Sequence, residues 1–420
     1  MNGKREVIIV GGGVIGCSIA YELAKRGQSA TVLERGRLGA EASSAAAGML
    51  GAQSEMEDTG PLFQWGRASR AMFPQLADEL KALTGIDICL VREGLLNVAL
   101  NDAQEQELRA REKLQRAAGE EAQWLSAAAA ARLEPALSRD VCGALYLPED
   151  GQVEAPLLAQ AFGQAARLLG AKMQEFAQVQ GLLTEQGRAV GVLTSEGPLY
   201  SDRVIVASGS WSGQLLSSIG VQLPVFPVKG ECFSVLTPRS VLGKTLFTQG
   251  CYIVPKAGGR LLIGATVLPN SYDLKVSLAG LAELVERARL LMPSIGEAEW
   301  EKAWAGLRPQ TPDGLPYIGK VPEYEGLFAA YGHYRNGILL SPVTGKVMAD
   351  LVLGETQHAQ NELELQRQEL AKAEMDLDAF SPDLSVRSKR FGLGNAARAS
   401  GKQDSSEGKR KELHTSEAAY

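Results

Sequence analysis

The sequence predicts an α/β protein of two α+β domains, a Rossmann-like dinucleotide-binding domain interleaved with a domain built on an antiparallel sheet. Three stretches carry that expectation. Residues 6–34 run from an apolar strand (Val7, Ile8, Ile9, Val10) through Gly11-Gly12-Gly13-Val14-Ile15-Gly16 into a helical pattern and a second strand that closes on Glu34. Residues 204–213 repeat part of that design, because Val204-Ile205-Val206 runs into Gly and Ser before a helix, a second place where backbone faces a cofactor. Between residues 224 and 304 the pattern is strands and turns broken by one helix, as in an antiparallel sheet of a separate domain.

Within the first stretch each glycine has a mechanical reason. Gly11 permits the tight turn, Gly13 lets backbone approach a pyrophosphate, and Gly16 lets the helix pack close to the strand. The helix that follows offers unpaired N–H groups and a favourable dipole to the phosphates. Glu34 stands where a carboxylate accepts hydrogen bonds from a ribose 2′-hydroxyl, and its charge repels a 2′-phosphate. FAD or NAD is therefore favoured over NADP, and the fingerprint does not choose between the two.

Beyond Glu34, the small residues 39–51 either start a helix capped by Ser43 or Ser44 or let backbone come close to a flat ligand ring. A helical pattern over 62–84 carries Leu76, Leu80 and Leu83, and residues 94–100 read as a strand. Asn101 or Asp102 is placed to cap a polar helix to about residue 118, and Ser126 an alanine-rich one ending before Pro135. Residues 155–169 form an amphipathic helix, and 171–206 hold short strands with a hairpin turning at Gln186-Gly187. A last apolar helix runs from about 337 to 353 and stops at Gly354. Residues 355–380 are polar and helix-prone, with Leu363, Leu370 and Leu377 spaced as in a heptad seam, and read as a solvated terminal helix. Residues 381–420, rich in Ser, Gly, Lys and Arg, read as a disordered basic tail.

Composition narrows the function. A net charge of -6 gives no overall nucleic-acid signature. The cysteines lie far apart with no C-x-x-C pair, and His333, His358 and His414 have no ligand spacing, so no metal site is expected. The opening apolar run is only a strand long and meets glycines instead of a cleavage site. No stretch approaches the roughly 18 apolar residues of a membrane span. The expectation is a cytoplasmic protein with reduced thiols.

Further motifs stand at Ser44-Ala45-Ala46-Ala47-Gly48-Met49-Leu50-Gly51-Ala52, Pro227-Val228-Lys229-Gly230-Glu231-Cys232, Cys251-Tyr252-Ile253-Val254-Pro255, Trp304-Ala305-Gly306-Leu307-Arg308-Pro309 and Arg335-Asn336-Gly337-Ile338-Leu339-Leu340. Through them the chain resembles the glycine oxidases of the D-amino-acid oxidase family of FAD-dependent amine oxidases, over about residues 5–355. The tail beyond finds no counterpart. The resemblance implies a discontinuous FAD domain of the glutathione-reductase type over 1–84, 151–222 and 305–354, and a substrate domain over 85–150 and 223–304.

Non-covalent FAD would then be held by the glycine loop (Gly11, Gly13, Gly16) with Val14, Ile15, Glu34, Arg35, Ala42, Ser43, Ala47, Gly48, Met49 and Val179. His333, Tyr334, Arg335, Asn336, Gly337, Ile338 and Leu339 complete that set. Tyr252, Arg308 and Arg335 would bind substrate, Arg308 by two parallel N–H bonds to its carboxylate. No side chain is implied as a catalytic acid or base, because the flavin accepts the hydride. The resemblance further implies a small amine substrate, oxygen as acceptor, hydrogen peroxide as product, a homotetramer, supply of glycine imine to thiamine biosynthesis, and neither membrane nor nucleic acid as partner. Gly250 and Val267 stand where larger residues occur in some members; both changes would enlarge the pocket and leave the preference among glycine, sarcosine, D-alanine and larger amines open. Three competing readings are a D-amino-acid dehydrogenase passing electrons to a quinone, an RNA-modifying flavoprotein anchored by the basic tail, and a dinucleotide sensor without turnover.

Overall fold

A computed structural model of the chain describes residues 6–56, 58–354 and 376–390. Its first sheet has six strands in the order Tyr317–Lys320, Leu327–Tyr331, Val204–Val206, Val7–Val10, Ala30–Leu33, Lys172–Gln174. All neighbours are parallel except the first two. Val7–Val10 and Ala30–Leu33 are buried at every position, as continuous apolar strands must be when both faces of a parallel sheet are covered. Helices Val14–Lys25, Ala155–Leu168 and Gly337–Leu353 pack over one face. A three-stranded antiparallel sheet, Val179–Glu185, Arg188–Thr194 and Gly197–Tyr200, shares the apolar core on the other. Its first hairpin turns on Gln186 (φ 49°) and Gly187 (φ 75°), the two left-handed residues that a tight two-residue hairpin requires.

The second sheet has nine strands and is antiparallel apart from one pairing. Thr245–Thr248 runs parallel to Leu95–Ala99, and that pairing joins residues 85–150 and 223–304 into one sheet. Its longest members, Phe226–Leu236 and Glu299–Gln310, pair along their lengths, and helix Leu278–Leu291 packs on the sheet. A boundary at residue 305 therefore falls inside one continuous strand, because the ladder to Phe226–Leu236 carries on past Gly306 to Gln310. The capping expectations fare well: the side chain of Asn101 accepts from Gln104 N and that of Ser126 from Ala129 N.

The tail departs from expectation. Residues 355–375, most of the expected terminal helix, lie outside the described residues; residues 376–380 end in a 3₁₀ turn, Asp378–Phe380, and Leu384–Arg390, within the segment read as disordered, is helical. The cause is docking. Phe380 is fully buried with its ring 4.3 Å from that of Trp65, and Leu377 packs against the same core. Arg387, almost fully buried, pairs with Asp313 at 2.5 Å, donates to the carbonyl oxygens of Leu315 and Pro316, and lies over the Tyr317 ring. Leu363, Leu370 and residues 391–420 lie outside the described residues. Phe380→Ala is expected to cost about 3 kcal/mol and to open residues 376–390 to limited proteolysis; unchanged protease resistance would count against this docking.

Candidate active site

The carboxyl ends of Val7–Val10 and Val204–Val206 open into a cavity of about 410 Å³, the place where open α/β sheets bind ligands. Gly11 adopts φ 106°, and a Cβ there would meet the Ala207 carbonyl oxygen at 2.6 Å. A Cβ on Gly16 would fall well under 3.0 Å from the Gly11 oxygen, so Gly16 serves the turn by close packing and does not line the cavity. Gly13 differs: a Cβ there would meet only the Ser43 hydroxyl, at 3.3 Å. The Glu34 carboxylate accepts from Gly12 N and Gly36 N, each at 2.8 Å, which fixes its aim before any ribose arrives.

The small residues after Glu34 combine a short helix with a backbone edge at the cavity. They form a four-residue helix, Ala42–Ala45, that takes no side-chain cap. The Ser43 hydroxyl instead accepts from Val14 N at 2.9 Å, at the start of the neighbouring helix. Ser44 donates to Ala40 O at 2.8 Å. Trp304 Nε1 donates to Ala45 O at 3.0 Å, and Met49–Leu50 pairs with Gly151–Gln152. Held from these sides, the segment presents Ala47, Gly48 and Met49 to the cavity. Gly48 needs φ 81°, and a Cβ there would fall well under 3.0 Å from the Val153 oxygen.

At the other end of the cavity, Tyr252 is buried among Ala47, Cys232, Val254 and Leu262. Burial raises its phenol well above the ordinary value, so the group stays an O–H donor; its hydroxyl lies 3.5 Å from Cys232 Sγ. Arg308, opposite Val228 in the ladder, donates from Nη1 to Thr266 O at 3.1 Å. Its guanidinium lies against Gly230 in space that any Cβ there would fill. Among the described residues no carboxylate pairs with it. Arg335 does have a partner: Nε meets Glu55 Oε2 at 2.6 Å and Nη2 donates to Oε1 at 3.0 Å. His333 shares a 3.0 Å hydrogen bond with Thr344 Oγ1, and burial pushes its imidazole down to about 3. Burial thus favours the neutral ring, with Nε2 engaged by Thr344.

Gly11, Gly13, Val14, Ile15, Glu34, Arg35, Ala42, Ser43, Ala47, Gly48, Met49, Val179 and residues 333–338 all line the cavity, together with Tyr252 and Arg308. Leu339 does not. It is turned into the core, where its carbonyl accepts from the Ser69 hydroxyl. Gly250 and Val267 do not line it either: a Cβ on Gly250 would overlap the Arg287 guanidinium, and Val267 is half exposed. Sequence reasoning missed Glu55, Cys232 and Trp211, all of which line the cavity. Arg35 pairs with Glu41 at 2.8 Å and lies over the Trp211 ring at 3.7 Å. The Gly-Ser run before Trp211 was a usable signal, whereas Glu55 sits in an acidic run that reads as solvated charge. No metal-holding cluster occurs among the described residues.

A glycine turn, a helix N-terminus at the cavity, the acid Glu34 pinned by backbone and an apolar rim made of small residues together fit a flavin dinucleotide. The chain belongs to the DAO family of FAD dependent oxidoreductases, whose family model matches residues 6–351. Within that family it is similar to the glycine oxidase of Geobacillus kaustophilus, at 48% identity over 84% of this chain and 94% of the relative. The crystal structure of glycine oxidase from that organism superposes with a TM-score of 0.83 at 46% identity, covering 90% of this chain and 98% of the other. The bifunctional protein ThiO/ThiG of Nostoc sp. is 36% identical over 83% of this chain and 53% of its own length. The enzyme is thus a flavoprotein oxidoreductase whose cofactor is FAD.

Proposed function

We propose that this protein oxidises glycine and other small amines, such as sarcosine and D-alanine, to the imine, with oxygen as the electron acceptor. The observation that carries the reading is Arg308: a guanidinium laid against Gly230, with no carboxylate partner among the described residues, beside a buried Tyr252 hydroxyl in the family's flavin cavity. Arg308 presents two parallel N–H donors to a carboxylate, and Tyr252 adds a third donor to the same group. The apolar shell of Ala47, Val254 and Leu262 keeps water away and strengthens those contacts. Ala47, Gly48 and Met49 would hold the flavin edge, the Gly11–Gly13 turn the pyrophosphate, and Glu34 the ribose. FAD held there would supply acceptance of a hydride from the substrate's alpha carbon and passage of the electrons to oxygen, giving hydrogen peroxide. This chain's part is to hold the carboxylate so that the carbon is presented in one orientation, which by itself supplies several kcal/mol of the barrier. Water then splits the imine into glyoxylate and ammonia.

The same reading places the enzyme in the cytoplasm as a homotetramer that supplies glycine imine for the thiazole of thiamine, a context in keeping with the ThiO/ThiG relative. No helix among the described residues is long and apolar enough to cross a membrane. With the strand Glu299–Gln310 kept whole, the substrate domain takes residues 85–150 and 223–310, and the FAD domain takes 1–84, 151–222 and 311–354. A peroxide assay across glycine, sarcosine, N-ethylglycine and D-alanine tests the activity. Peroxide and glyoxylate in equal amounts from glycine are expected; a flavin-loaded protein that releases no peroxide from any of the four would refute it.

A further inference from the structure

The acid beside the substrate arginines is not a loose surface group. Glu55 lines the cavity and gives both carboxylate oxygens to the Arg335 guanidinium, at 2.6 and 3.0 Å. Its loop is anchored from beneath. The backbone N–H groups of Gln53 and Ser54 donate to Asp150 at 3.1 and 2.8 Å, Asp150 is fully buried, and Arg70 pairs with it at 2.8 Å. Gln115 Nε2 also donates to the Gln53 carbonyl, at 2.8 Å. A loop fixed in this way holds Glu55 on Arg335 instead of leaving it to solvent.

The consequence is a charge count. Of the charged residues lining the cavity, Glu34 is held by Gly12 N and Gly36 N and Arg35 pairs with Glu41, whereas the two guanidinium groups that act on Tyr252, Arg308 and Arg335, share one carboxylate, Glu55. The remaining charge of +1 matches one substrate carboxylate. A second carboxylate would have to displace Glu55 from Arg335 or lie against it, and like-charge juxtaposition in a site of low dielectric is strongly disfavoured.

We propose that Glu55 is the specificity-determining residue that restricts this site to amines bearing a single carboxylate, by neutralising Arg335 in advance. The substrate class rests on the proposed amine oxidation, but the charge selectivity is measurable without turnover. Full-length holoenzyme, Glu55→Gln and Glu55→Asp are titrated with acetate and with malonate, neither of which carries an amine to oxidise, and followed by the flavin absorbance. Turnover of glycine is compared with that of iminodiacetate. Glu55→Gln is expected to raise the malonate-to-acetate affinity ratio by about tenfold or more, with a parallel rise in the iminodiacetate-to-glycine ratio of kcat/KM. Glu55→Asp, which keeps the charge, is expected to retain the wild-type ratios. An unchanged affinity ratio in Glu55→Gln, an equal shift in Glu55→Asp, or loss of flavin from Glu55→Gln overturns the proposal. If the wild-type enzyme fails to oxidise glycine, the proposed function falls, while the acetate and malonate affinities still decide the role of Glu55.

Discussion

Arg308→Ala raises KM for glycine by about two to three orders of magnitude and leaves the flavin bound. The size follows from the kind of contact removed. Truncating one side of a desolvated, hydrogen-bonded charge pair costs about 2 to 5 kcal/mol, and each 1.4 kcal/mol is about tenfold. Flavin retention follows from position, because Arg308 stands on the large sheet with its recorded contacts at Thr266 and Gly230. Arg308→Lys is expected to recover only part of the loss, since an ammonium restores the charge without the planar fork. Steady-state kinetics with the flavin content measured in parallel checks the result; a KM unchanged from wild type would remove Arg308 from substrate binding.

Gly48→Ala strips the protein of FAD. At φ 81° any L side chain is strained, by about 1 kcal/mol or more, and the added Cβ would overlap the Val153 carbonyl oxygen, a backbone atom that cannot rotate away. The Ala47–Met49 edge must therefore shift, and that edge lines the cavity. The purified variant is expected to be nearly colourless and to melt earlier than wild type. Gly13→Ala provides the contrast. Its backbone is extended and its Cβ would meet only the Ser43 hydroxyl, so it weakens the flavin while the melting temperature of the apoprotein stays close to that of wild type. A yellow Gly48→Ala protein with full flavin content would show that this edge tolerates displacement.

What could be read in the sequence was what local geometry dictates. The requirements on Gly11, Gly13, Gly16 and Glu34 arise within one strand-turn-helix-strand unit, so their spacing alone announces them, and the caps at Asn101 and Ser126 are local for the same reason. Arg308 and Tyr252 became legible only through resemblance. They lie on different strands of one sheet, and nothing in the spacing between them says that both face the cavity. Direction was the recurrent source of error. Leu339 follows the six cavity-lining residues 333–338 yet turns into the core, and Gly250 precedes Tyr252 by two positions yet faces Arg287. Capping of its own helix was one of two readings open for Ser43, and it serves the helix of Val14 instead. The docked tail was out of reach, because its apolar and ionic partners, Trp65 and Asp313, are contributed by distant parts of the chain. Glu55 carried no mark at all, since its role exists only once Arg335 is beside it.

If the site works as proposed, an amine bound at Arg308 reduces the flavin and oxygen reoxidises it. Rapid mixing of the purified enzyme with glycine under anaerobic conditions, followed by admission of oxygen, tests both halves in one experiment. Glycine is expected to bleach the flavin absorbance, oxygen to restore it within the time of a turnover, and one peroxide to appear for each glyoxylate. A flavin that stays oxidised with saturating glycine, or one that glycine reduces and oxygen fails to restore on that timescale, would contradict the proposed function.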